Sequence, residues 1–106
     1  MGDVMTDRIS ADTIIEMLKD RTAPRVTEEG IRAKIDCHSF HEEHIGAAKI
    51  TVCFILMRNG FVFVGHSAAA SPENHDAKIG EYYAYDDAFR QIWAHEGYLL
   101  REQLSR

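Results

Sequence analysis

The stretch KITVCFILMRNGFVFVGHS, residues 49–67, leaves the chain few choices. Two runs rich in β-branched and aromatic residues flank Asn59-Gly60, the pair favoured in two-residue type I′ hairpin turns. Such a loop fixes register. Arg58 is expected opposite Phe61, Met57 opposite Val62, Leu56 opposite Phe63, Ile55 opposite Val64 and Cys53 opposite His66. Val52, Phe54, Leu56, Phe61 and Phe63 then share one face, and Cys53, Ile55, Met57, Val62 and Val64 the other. Both faces are apolar, whereas an antiparallel sheet with one wetted face alternates apolar with polar. A lone two-stranded ribbon is also marginal. The hairpin is therefore expected to be enclosed by helices of its own chain, with a second copy completing the cover as a homodimer or higher oligomer that shares the sheet; a monomer whose own helices wrap both faces is the alternative.

Helices are expected on either side. SADTIIEMLKD offers Ser10 as an N-cap and Ile14, Ile15 and Leu18 on one stripe. Pro24 interrupts. VTEEGIRAKIDCHSF starts again from Thr27, with Glu28 and Glu29 where the helix dipole favours acids, and places Ile31, Ile35 and His38 on one face. A third helix is expected to open at Ser71-Pro72. Its apolar side carries Tyr82, Tyr85, Ala88, Phe89, Ile92 and Trp93, and its solvent side Asp86, Asp87, Arg90 and Gln91. Glu96 falls on the apolar side of an unbroken helix. A break at Gly97 is therefore expected, and a partnered Glu96 is the alternative.

This pattern predicts an α+β fold: one small domain over 1–106, in the order α-α-β-β-α, with the hairpin packed between helices and residues 1–9 as a disordered lead. The chain has 106 residues, 45% hydrophobic and 27% charged, within the range of an ordinary globular domain. No apolar run reaches the ~20 residues of a membrane span, and MGDVMTDRIS has no apolar core of a secretory signal. The net charge of −5, with no basic stripe, argues against nucleic-acid binding. Two cysteines are too few for a disulfide framework and suit a reducing cytoplasm.

Within residues 51–100, TVC in the first strand, NGF at the turn, GHSA ending the second strand, SPENHDAKIG and AFRQIWAHEGYLL together resemble a small phage protein family. The family is named after gene products of coliphage N4 and Shigella phage Sf6. The resemblance implies a tailed-phage or prophage origin and action inside the bacterial host, and carries over no catalytic residue. The chain departs from the pattern at His75 and in FHEEHIGAA.

The densest chemistry is CHSFHEEH, residues 37–44. On a continuing helix His38, His41 and His44 fall within a 120° arc, and Cys37 or a glutamate completes a candidate divalent-metal site. The H-E-x-x-H spacing is absent, and a solvated helix end is the plainer reading. Cys53 and His66, paired across the hairpin, form a weaker nucleophile candidate. In SAAASPENHDA, small residues before a helix start make Ser67, Ser71, Asn74 and His75, with Tyr83, candidate ligand-binding residues. Helix capping by Ser71 is the plainer explanation.

The expected function is non-catalytic: a small phage accessory protein in the host cytoplasm that binds a host protein or a small signalling ligand. No cofactor is expected beyond a divalent metal at the histidine cluster. The alternative is a metal-dependent enzyme built on Cys37, His38, His41 and His44, and the third reading a minor virion protein.

Overall fold

The computed structural model describes residues 10–18, 23–69 and 76–106. The elements are α1 (Ala11–Leu18), α2 (Glu28–Ala33), β1 (Ile35–Ile45), β2 (Ala48–Met57), β3 (Val62–Ala68) and α3 (Ala77–Leu104). The fold is α+β, with one antiparallel sheet in the order β1-β2-β3.

The expected caps form at the first two helices. Ser10 Oγ accepts from Thr13 N at 3.1 Å, and Thr27 Oγ1 accepts from Gly30 N at 2.9 Å. For α3 the cap is Asp76, whose Oδ1 accepts from Lys78 N and Ile79 N. The helix therefore begins past Ser71-Pro72, which lie outside the described residues.

The helix expected through CHSFHEEH stops at Ala33, and Ile35–Ile45 is a strand. Its spacing of Ile31, Ile35 and His38 is coincidental. β2 is apolar on both sides and needs a neighbour on each edge. The neighbour is supplied by the preceding segment through a two-residue loop, Gly46-Ala47 between paired Ile45 and Ala48. Gly46 has φ +58°, at the position where type II′ turns take glycine.

The turn at Asn59-Gly60 forms, with one residue more than expected. Met57 N donates to Phe61 O at 2.8 Å and Gly60 N to Met57 O at 2.9 Å, enclosing a three-residue loop. Only Gly60 has positive φ, +92°, as in a type I turn closed by a glycine bulge, whereas type I′ needs positive φ at both central residues. The register therefore slips by one: Ile55 pairs with Phe63, Phe54 with Val64 and Cys53 with Gly65. A one-residue slip exchanges faces. Phe63 joins Cys53, Ile55 and Met57 beneath α3, and Val62 and Val64 join Val52, Phe54 and Leu56 on the other side.

The core is Ile31, Cys53, Ile55, Met57, Phe63, Ala84, Ala88, Phe89 and Ile92, between one sheet face and α2 with α3. Helix α3 lies over β3 and β2. The opposite face has no helix against it among the described residues: Phe54, Val62 and Val64 are 39%, 44% and 47% exposed. Among the described residues of one chain, helix cover is therefore one-sided.

Helix α3 continues through Gly97 to Leu104, so no break occurs there. The alternative holds instead. Glu96 is a half-buried carboxylate whose Oε1 accepts from Lys34 Nζ at 2.6 Å, and that contact ties α2 to α3.

Candidate functional site

The buried stripe of α3 is Ala84, Ala88, Phe89 and Ile92, rotated from the expected one. The cause is Gly65. A Cβ there would lie 2.3 Å from Ala84 O and 2.4 Å from Ala88 N, so the helix backbone rests on the β3 backbone. Small residues at that contact turn the aromatic flank of α3 aside, towards β1. Tyr82 and Trp93, expected in the core, are 67% and 38% exposed.

The flank and β1 enclose a groove of about 630 Å³. Its floor is a chain of rings. His38 lies 5.4 Å from Phe40 and 5.0 Å from Tyr85, both edge-on, and Tyr85 stacks on Phe89 at 5.8 Å. Tyr82 and Trp93 extend it along α3. The rim carries three cations, Arg32, Lys78 and Arg90, and three acids, Glu28, Glu81 and Asp86. Arg32 lies 5.0 Å over the Phe89 ring, an attractive cation–π arrangement. Its Nε donates to Glu28 Oε2 at 2.8 Å, and that bond holds the guanidinium above its ordinary pKa. Arg90 pairs with Asp86 at 3.3 Å.

The histidine cluster is spread over two sheet faces, because successive strand residues point to opposite sides. His38 and His44 pair with Ile55 and Lys49, so their side chains point to the α3 side. Cys37 and His41 pair with Leu56 and Val52, which places them on the open side. His41 bonds Glu43 at 2.8 Å and His44 lies 3.5 Å from Glu42. Among the described residues no three of these groups come together as metal ligands.

Cys53 faces Gly65, not His66, which is exposed on the opposite side opposite Val52. The expected Cys–His pair therefore does not form. Cys53 is fully buried and burial pushes its thiol up to about 11, the reverse of nucleophile activation.

Ser67 and Tyr83 do meet, in a hollow of about 320 Å³ with Thr51, Asp76 and Gly80. Ser67 Oγ donates to Gly80 O at 2.7 Å, a helix–sheet tie. Ser71, Asn74 and His75 lie outside the described residues.

Sequence reading missed the groove. Its signal was present in the alternation of His38 and Phe40, which reads as one strand face once the segment is taken as β.

Residues 26–104 match the Phage protein (N4 Gp49/phage Sf6 gene 66) family. The chain belongs to that family. The match spans α2, β1 to β3 and all of α3, and so contains every wall of the groove. No curated protein and no solved structure matched the chain. No helix among the described residues is long and apolar enough to cross a membrane.

Proposed function

We propose that this phage protein is an accessory factor that works without catalysis, by holding a host protein in the groove between β1 and α3. The observation that supports this reading is the lining: a floor of Phe40, Tyr82, Tyr85, Phe89 and Trp93 inside a rim of mixed charge. Recognition surfaces share that anatomy, since aromatic side chains and arginine are enriched in them and the rim stays polar. Tyr and Trp contribute most where they become fully desolvated. The mixed rim favours a protein surface of matching pattern over a phosphate or a nucleic acid, which would meet three acids. A metal-dependent activity is less well supported, because Cys37 and His41 point away from His38 and His44. The site of action in this reading is the host cytoplasm.

A photo-crosslinking residue at Tyr82, with Val64 on the open face as control, tests it in host lysate. A discrete protein captured from Tyr82 and not from Val64, which as a pure component raises the melting temperature of the wild type but not of Trp93→Ala, is the expected result. Equal capture from both positions would remove the groove from the proposal.

A further inference from the structure

The turn between β2 and β3, the end of α2 and the second half of α3 enclose a cavity of about 490 Å³. It shares no lining residue with the groove between β1 and α3. One wall is apolar and carries Met57, Phe61, Phe63 and Leu99. Phe61 meets Phe63 edge-on at 5.0 Å, and Phe63 meets the His95 ring edge-on at 4.9 Å. His95 Nδ1 donates to Gln91 O at 3.0 Å, since a carbonyl can only accept, and that bond holds the ring in the wall. Phe61 and Leu99 remain 53% and 41% exposed, so the wall keeps apolar surface for a ligand to bury.

The polar side is unbalanced. Lys34 and Glu96 close on each other at 2.6 Å and cancel. Arg58 stands outside that pair. Its backbone N donates to Lys34 O and its Nε to Ala33 O, both at 2.8 Å, satisfying carbonyls at the C-terminal end of α2. No acid among the described residues pairs with it. Arg58 is thus the one uncompensated charge among the described lining residues. With Nε taken, the N–H groups of Nη1 and Nη2 remain, in the planar fork that matches a carboxylate. Next to it, Asn59 Oδ1 already accepts from Phe61 N at 2.9 Å, which leaves the Asn59 amide nitrogen as a second donor without a partner among the described residues.

We propose that this cavity binds a small aromatic carboxylate, its ring against Phe61, Phe63 and Leu99 and its carboxylate on the Arg58 fork. The free polar groups are donors, so the ligand must supply acceptors. A single uncompensated cation matches a monoanion, whereas a phosphate dianion would bring a second negative charge to a cavity that already holds Glu96. A mostly apolar cavity with a few placed polar groups is the usual form of a small-molecule site. The proposal does not depend on the groove holding a host protein.

Titration of the full chain with sodium 2-naphthoate, read by calorimetry and by NMR shifts, tests it. A ligand of that size has the efficiency for a dissociation constant of about 1 mM or below. Amide signals of Asn59, Phe61 and His95 should move, and the Trp93 indole in the groove should not. 2-Naphthamide, the same ring without the charge, should bind about tenfold more weakly, and 2-naphthyl phosphate no more tightly than the carboxylate. Arg58→Gln and Phe61→Ala should each weaken binding by about tenfold, and Val64→Thr on the open face should leave it within about twofold. Phe61→Ala, at an exposed ring, decides the matter if the Arg58 variant does not fold. No binding at about 10 mM, equal affinity for the amide, tighter binding of the phosphate, shifts centred on Trp93, or a Phe61→Ala variant that binds like the wild type each overturns the proposal.

Discussion

Gly65 lies directly beneath Ala88, and a Cβ on Gly65 would stand 2.9 Å from the Ala88 Cβ and 2.3 Å from the Ala84 carbonyl oxygen. The obstructing atoms include helix backbone, which cannot rotate aside. Gly65→Ala is expected to push α3 off the sheet, at a cost of about 3 kcal/mol or more from overpacking. Urea unfolding should show the lowered midpoint. A loss below about 1 kcal/mol would mean that α3 does not rest there.

The rotated helix face gives opposite expectations for two aromatics of one helix. Phe89→Ala empties a core position and should cost about 3–5 kcal/mol. Tyr82→Ala removes an exposed ring and should change stability by less than about 0.5 kcal/mol. Chemical denaturation of the two variants side by side checks the assignment, and equal losses would return Tyr82 to the core.

At the hairpin, Gly60→Ala forces a side chain into φ +92° and should cost about 1–2 kcal/mol. Asn59→Ala removes the Oδ1 acceptor of Phe61 N, 2.9 Å away, and should cost about 1 kcal/mol. Asn59→Gly tests the loop type: an Asn59 at negative φ gains nothing from glycine, so stability should fall. A gain would point to the type I′ turn.

The two thiols should differ in reactivity and in pH response. Cys37 is exposed and should react with a thiol reagent in the folded protein, whereas Cys53 should react only after unfolding. The folded Cys53 thiol titrates near 11, against an ordinary value of 9.0. The unfolded chain therefore loses this proton first as pH rises. The contribution to stability is complete below pH 9 and declines between 9 and 11, by at most about 1.4 kcal/mol per pH unit. Cys53→Ala should flatten that decline, which denaturation at pH 8, 9.5 and 10.5 would measure.

The apolar runs around Asn59-Gly60, the caps at Ser10 and Thr27, and the α+β class were legible because each rests on a few adjacent residues. The family was legible for the same reason, in TVC, NGF and GHSA. The sense of CHSFHEEH was not. Its spacing fits a helix as well as a strand, and only the need of β2 for a second neighbour selects the strand.

The groove was hidden for a related reason. Periodicity shows that α3 has an apolar side but not which part of that side meets the sheet. The sequence alone determined that the chain turns back at Asn59-Gly60 between two apolar strands and that helices start after Ser10 and Thr27. Tertiary structure decided the register of β3, the rotation of α3 and the division of the histidines between two faces. Those depend on one extra residue in a loop and on a backbone contact at Gly65, between elements far apart along the chain, where no local preference can choose.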